Sequence, residues 1–277
     1  MSDAGMEDRA DELALRSIKV TTDGAVAWVR LNRPERANAL DEAAWDEIPR
    51  IMAWIQTQKD IRVVVLAGNG RHFCSGIEIE VLERLMGYAR NGAGPLGRGR
   101  LKQEILKLQD AISSVERLPI PVIAAVQGAC IGGGLDLAAA CDLRYASADA
   151  KFCIKEIDFG IVADVGSTQR LRHVVGMAVL TELSYTAEIV PASRAKEIGL
   201  VSEVFQDGPA LLKGVSDLAL LIAQKPPIAT RGVKQSLIFS RDHSVSDGLE
   251  QVASWNSAMA FDAETAAAVS AFKNRAQ

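Results

Sequence analysis

Two short apolar runs, RVVVLAG at residues 62–68 and PIPVIAAVQG at 119–128, set the first constraint on how this chain folds. Apolar runs of that length, bounded by Gly and Pro, fit buried strands. Each is preceded by a stretch with apolar residues at helical spacing, AAWDEIPRIMAWIQTQ and LKQEILKLQDAISSVERL. Strand and helix thus alternate through the first two thirds, and beyond Gly166 helical segments dominate. That order predicts an α/β core with a helical C-terminal appendage. With 277 residues, 48% of them hydrophobic, the chain can bury a full core and sits near the upper size of one domain. The expected division is a flexible acidic start at 1–12, a core at 13–200 and a mainly helical C-terminal region at 201–277.

Local signals fill in the elements. LALRSIKV and AVAWVRL are rich in strand formers and flank TTDG, a hairpin pattern. NRPERANALD breaks the pattern, and its Asp41 is placed to cap the helix that follows. The strand at 62–68 runs into GNGRHFCSG, a loop that needs unusual backbone angles. Residues 87–100, GYARNGAGPLGRGR, concentrate Gly, Arg and Asn without periodicity and read as a mobile surface loop. GACIGGGLDLAAACD reads as a Gly-rich turn feeding a helix, and DLRYAS, AKFCI and VSEVF as further strands. The paired prolines of KPPIATRGVKQSL mark a helix start.

Charge and composition narrow the partners. A net charge of −4 supplies no basic field for nucleic acid or a membrane surface, so a small molecule is the expected partner. Cys74, Cys130, Cys141 and Cys153 form no C-x-x-C pair and have small or apolar neighbours, so they read as reduced core residues. His72, His173 and His243 are too scattered for a zinc site, and no metal is expected. The acidic start lacks the basic and apolar regions of a secretory signal, no run reaches membrane-spanning length, and the terminal NRAQ carries no peroxisomal address. A cytoplasmic protein is the expectation. Gly132, Gly133 and Gly134 are consecutive and do not form G-x-G-x-x-G, nor is a P-loop present, so no nucleotide cofactor is expected.

Two segments suit the capture of developing negative charge by backbone N–H groups: FCSGIEI after a strand and CIGGGLDL at a helix start. Gly lets the backbone approach a ligand, and a helix N-terminus favours anions. Each taken alone is equally an ordinary tight turn. The acids nearby say more. Asp136 follows the triple Gly, Glu156 stands in KFCIKEIDFG, and Asp164 sits between Ala163 and Val165, an expensive place for an acid unless it is partnered or used. A structural role stays open for each: Asp136 as a helix cap, Glu156 as a strand-end charge, Asp164 as a turn acid before Gly166.

The same residues carry a resemblance. GACIGGGLDLAAACDLRYASADAKFCIKEIDFGIVADVGSTQRL resembles the core of the enoyl-CoA hydratase/isomerase (crotonase) family. NRPERANAL and FCSGIEI sit where that family has its CoA-contacting and first oxyanion segments, and SRDHSV and ASWN extend the likeness toward the C-terminus. Within the family the chain is similar to the dienoyl-CoA isomerases, which carry Asp, Glu and a third acid at the positions of Asp136, Glu156 and Asp164. Simple hydratases usually have Glu at the first position and Gly at the third, in a PGAGGTQR-like segment that here reads ADVGSTQR.

The resemblance implies a spiral of ββα units, homotrimers or homohexamers assembled through C-terminal helices, and an acyl-CoA thioester substrate. It implies no separate cofactor, since CoA arrives with the substrate. It also implies conversion of a 3,5-dienoyl-CoA to the 2,4-diene. Asp164 is then the base at C2 and Glu156 the acid at C6, or the reverse, with Asp136 supporting both. The N–H groups of Ser75 and Gly133 hold the thioester oxygen, and Ser75, Gly76, Ile77, Glu78, Ile79 and Gly133 contact the substrate. Ser75 replaces the family's usual Ala and Glu78 its usual Asp. A 2-enoyl-CoA hydratase, and a non-catalytic or RNA-binding protein on the same scaffold, are the rival readings.

Overall fold

The computed structural model describes residues 7–8, 13–90, 94–261 and 263–275. Strands β1 (Glu7–Asp8), β2 (Ile18–Asp23) and β3 (Val26–Leu31) pair antiparallel. The β2–β3 turn is only Gly24 and Ala25, with Gly24 in the left-handed region at φ +54°. The expected first strand is shorter than LALRSIKV. The buried Glu47 carboxylate accepts the N–H groups of Arg16, Ser17 and Ile18, so these groups are not available to extend a ladder. Glu47 belongs to α1 (Glu42–Thr57), which Asp41 caps as expected, accepting the Ala44 N–H at 2.8 Å. Apart from β1, the start expected to be flexible lies outside the described residues.

The two apolar runs become β4 (Val63–Gly68) and β5 (Val122–Val126), buried at every residue. With β7 (Leu143–Ser147) and β10 (Glu203–Phe205) they complete a seven-stranded sheet in the order β1-β2-β3-β4-β5-β7-β10, parallel from β3 onward. A second sheet holds β6 (Ala129–Ile131), β8 (Lys151–Cys153) and β9 (Val190–Pro191). The chain steps repeatedly from the large sheet to the small one and then into a helix. β5 leads to β6 and α4 (Gly133–Ala139), and β7 leads to β8, a 3-10 turn at Glu156–Phe159 and α5 (Ser167–Leu171). β4 makes the same step through Cys74, which bridges Cys130 of β6, before α2 (Ile79–Arg90). These steps are the spiral of ββα units.

The stretch expected to be a mobile loop is mostly helical, which corrects the reading of residues 87–100. α2 runs to Arg90 and α3 spans Gly94–Arg117, while residues 91–93 lie outside the described residues. The first turns of α3 are largely exposed and so show no apolar stripe. Its later residues Leu108, Ala111, Ile112 and Val115 are buried and carry the helix. Arg84 of α2 ties the corner together, pairing with Glu104 of α3 at 2.9 Å and with Glu42 of α1.

The remaining helices are α6 (Met177–Thr186), α7 (Ala192–Glu197), α8 (Gly208–Ala223), α9 (Pro227–Arg241), α10 (Val245–Met259) and α11 (Ala263–Arg275). α8 buries Leu211, Val215 and Ala219 on one face of the large sheet, against Trp28, Val65 and Ile123. Val64, Leu66 and Ala124 on the other face join the core shared with α1 and α3. Residues 203–223, in β10 and α8, thus pack with the large sheet. All four cysteines are buried and free, and no helix among the described residues is long and apolar enough to cross a membrane.

Candidate active site

The site begins where β6 ends. Gly132 adopts φ +50° and turns the chain into α4, whose first residue, Gly133, has no intrahelical partner for its N–H. Facing it is the segment after Cys74. Leu40 donates to the Gly76 carbonyl at 2.8 Å and accepts the Glu78 N–H at 3.0 Å, which turns the intervening Ile77 N–H away from Leu40. Gly133 lies close by, so that a β-carbon on it would stand 3.6 Å from the Ile77 nitrogen. Ser75, the expected donor, gives its N–H to the Ala37 carbonyl at 3.0 Å. Of the two residues it is Ile77, and not Ser75, whose N–H has no backbone acceptor among the described residues. The reversal comes from Gly76, whose φ of +104° turns the backbone between the two residues.

The triple glycine has two separate causes. A β-carbon on Gly132 would combine a strained φ with a 3.0 Å approach to Glu156 Oε1. One on Gly134 would lie 2.6 Å from the Cys74 carbonyl and 2.7 Å from its Cβ. Glycine here is what lets α4 lie against the segment carrying Ile77.

The three acids meet around this helix. Asp136, in the first turn of α4, is fully buried. Its Oδ1 accepts the Ser167 N–H at 2.5 Å and hydroxyl at 2.6 Å, while Oδ2 is buried without a partner. It thus holds the start of α5 rather than capping its own helix. Burial pushes its pKa up to about 7, against the Ser167 hydrogen bonds and with the Glu156 charge. Glu156 opens the 3-10 turn, half-buried, with Oε2 also lacking a partner. Its pKa is raised by burial and by the Asp164 charge. Asp164, in the loop before α5, is likewise raised by burial, and Gln109 of α3 donates to its backbone carbonyl at 2.6 Å.

A cavity of about 530 Å³ is lined by residues 75–79 together with Gly133 and Glu156, so the expected substrate contacts do converge. Asp136 lies buried behind its wall. Asp164 lies off that wall too, and its neighbour Ala163 lines an adjoining cavity of about 300 Å³ that shares Glu156 and Ile161 with the first. The Glu78 carboxylate is bound by Arg33 at 2.8 Å and Arg36 at 3.1 Å, whose cations hold it below the ordinary carboxylate range. Gln109 and Ser167 are hydrogen-bond partners of Asp164 and Asp136 that the sequence did not reveal. Each contacts a residue more than thirty positions away, at no local spacing.

Comparison with known proteins agrees with this architecture. Residues 21–277 match the family model described as enoyl-CoA hydratase/isomerase. The chain is 44% identical, over 93% of its own length and 93% of the relative's, to the Arabidopsis thaliana protein named peroxisomal Delta(3,5)-Delta(2,4)-dienoyl-CoA isomerase. It superposes on the crystal structure of enoyl-CoA hydratase from Bacillus anthracis with a TM-score of 0.85, at 29% identity over 94% of this chain and 97% of that one. A Thermobifida fusca protein solved in complex with acetoacetyl-CoA gives a TM-score of 0.79 at 31% identity, over 90% of this chain and 96% of that one. Sheet order, glycine-lined helix start and overall likeness agree: the chain belongs to the enoyl-CoA hydratase/isomerase family.

Proposed function

We propose that this protein isomerises 3,5-dienoyl-CoA to 2,4-dienoyl-CoA by carboxyl-mediated proton transfer. One observation carries the proposal: two unengaged backbone N–H groups, of Ile77 and Gly133, share a cavity with the raised-pKa acid Glu156, and Asp164 adjoins it. The likeness to a protein named as such an isomerase supports it.

Loss of a proton from C2 leaves a conjugated trienolate with its negative charge on the thioester oxygen. Protonation at C6 then leaves double bonds at C2 and C4, with no change in mass. C2 is bonded to the thioester carbon, so the group serving it must share a wall with the oxyanion donors. We therefore assign Glu156 to C2 and Asp164 to C6, the reverse of the first assignment. Asp136, with its raised pKa, can hold a proton and present a neutral neighbour when Glu156 ionises. Each backbone donor is expected to contribute about two to three orders of magnitude in rate, and each positioned acid a comparable amount.

An acyl-CoA substrate without a separate cofactor, and a cytoplasmic setting, belong to the same proposal. So does a homotrimer or homohexamer. Its support is the exposure of Leu237 (68%), Leu249 (64%) and Phe272 (75%) on the last three helices, an apolar surface that assembly would cover.

The test is to give the purified protein a 3,5-dienoyl-CoA and, separately, a trans-2-enoyl-CoA, following ultraviolet absorbance and product mass. Mass-neutral conversion of the diene is expected. Water addition without diene movement would replace this proposal with a hydratase.

A further inference from the structure

Three groups hold the short stretch between Asp164 and Ser167. Gln109 binds the Asp164 carbonyl, Asp136 binds the Ser167 N–H and hydroxyl, and Arg170 Nη1 donates to the Val165 carbonyl at 3.3 Å. The Arg170 contact demands most from the rest of the chain. Its side chain is only 10% exposed and lies across Gly166, where φ is +134° and a β-carbon would collide with Nη1. A guanidinium so far from water needs a counter-charge.

Glu116 of α3 supplies it. Its Oε1 lies 3.2 Å from Arg170 Nε and its Oε2 3.3 Å from Nη2, and Nη2 also donates to the Ser113 hydroxyl at 2.9 Å. Glu116 accepts a second guanidinium from Arg241 of α9 at 2.5 Å. Burial alone would raise its pKa, but the two cations outweigh burial and hold it below the ordinary value. The carboxylate is thus a fixed anion between α3, α9 and the loop carrying Asp164.

We propose that Glu116 and Arg170 are positioning residues of the proton-transfer site, their ion pair holding the backbone of residues 164–167 so that Asp164 and Asp136 keep their aim. Neither residue lines the cavity that holds Ile77 and Gly133. Residues 161–166 form no helix or strand, so the orientation of Asp164 depends on what clamps this segment. A proton donor or acceptor must stand within hydrogen-bond reach of its carbon, and an ångström of misplacement costs about a hundredfold in rate. The kinetic consequence rests on the isomerase reading, whereas the clamp itself does not.

Arg170→Lys keeps the charge and loses the fork, and Glu116→Gln keeps the shape and loses the charge. Each is expected to lower kcat by about ten- to a hundredfold with KM changed by less than about twofold. The double variant is expected to be no slower than the worse single, because the pair acts as a unit. Amide hydrogen exchange at residues 165–167 is expected to accelerate in both by more than at the core amides of β4 and β5, over and above the stability each variant loses by breaking a buried pair. Ser113→Ala removes one hydrogen bond and no charge, and is expected to move both readouts in the same direction by less. It keeps the test open if a charge variant fails to fold. Folded variants with wild-type kcat, or with wild-type exchange at 165–167, overturn the proposal. A wild-type protein that leaves the diene unchanged overturns the isomerase reading instead, and the exchange readout then decides the clamp by itself.

Discussion

At the residue scale, environment rather than identity sets what each acid does. Asp136 has its pKa raised from 3.8 to about 7 by burial. Between those values the folded protein binds a proton that the unfolded chain does not, so the stability from this group is complete below pH ~4 and is lost as pH rises through about 7. Asp136→Asn keeps an acceptor for Ser167 and removes the titration. Its stability relative to wild type is expected to improve across that window and then level off, by up to about 4 kcal/mol. Urea unfolding at a series of pH values measures this, and a gap independent of pH would contradict it. Asp164→Asn should lower turnover by about 10²- to 10⁴-fold while Tm and binding of the CoA ester stay unchanged. Normal turnover in that variant would remove Asp164 from the chemistry. Gly134→Ala should cost about 1–3 kcal/mol in chemical denaturation, since the new methyl meets the Cys74 backbone rather than a side chain able to swing away.

At the element scale, helix α9 is joined to the sheet by one buried cation. Lys234 is 5% exposed at its side chain and reaches Asp142 Oδ2 at 2.8 Å and the Ile120 carbonyl at 3.1 Å. Asp142 also accepts the Val122 N–H at the start of β5. Lys234→Ala would take the cation away from Asp142, which is part-exposed and keeps the Val122 N–H, a loss of about 1.5–3 kcal/mol, whereas Lys234→Met with Asp142→Asn should lose less. Equilibrium unfolding of the two variants distinguishes the outcomes. Equal losses would show that packing, not the ion pair, sets the cost. Elements were legible where their own residues explain them. The apolar runs at 62–68 and 119–128 became β4 and β5, and Asp41 capped α1 as its position predicted. The glycine-rich stretch at 87–100 was not, because its helix is stabilised by buried residues that come later in α3.

At the scale of the whole molecule, two sheets and the helices between them bring residues 40, 77, 133, 156 and 164 into one neighbourhood. The helical end leaves apolar side chains in solvent, with Leu237, Leu249 and Phe272 each more than half exposed. Light scattering of the purified protein is expected to give the mass of three or six chains. A monomer that stays soluble at high concentration would show that this surface needs no cover.

The sequence alone determined the strand and helix order and the types of acid present, because apolar runs, caps and glycines act through neighbours a few residues away. It also placed the three acids and Gly133 among the candidates. Only the tertiary structure decided which N–H is free, since Ser75 is engaged by Ala37 while Leu40 bonds to either side of Ile77 and leaves the Ile77 nitrogen beside Gly133. Only it decided that Glu156, and not Asp164, lines the cavity with those donors. Hydrogen-bond direction and desolvation are set by residues far away in the chain, and no local pattern encodes them.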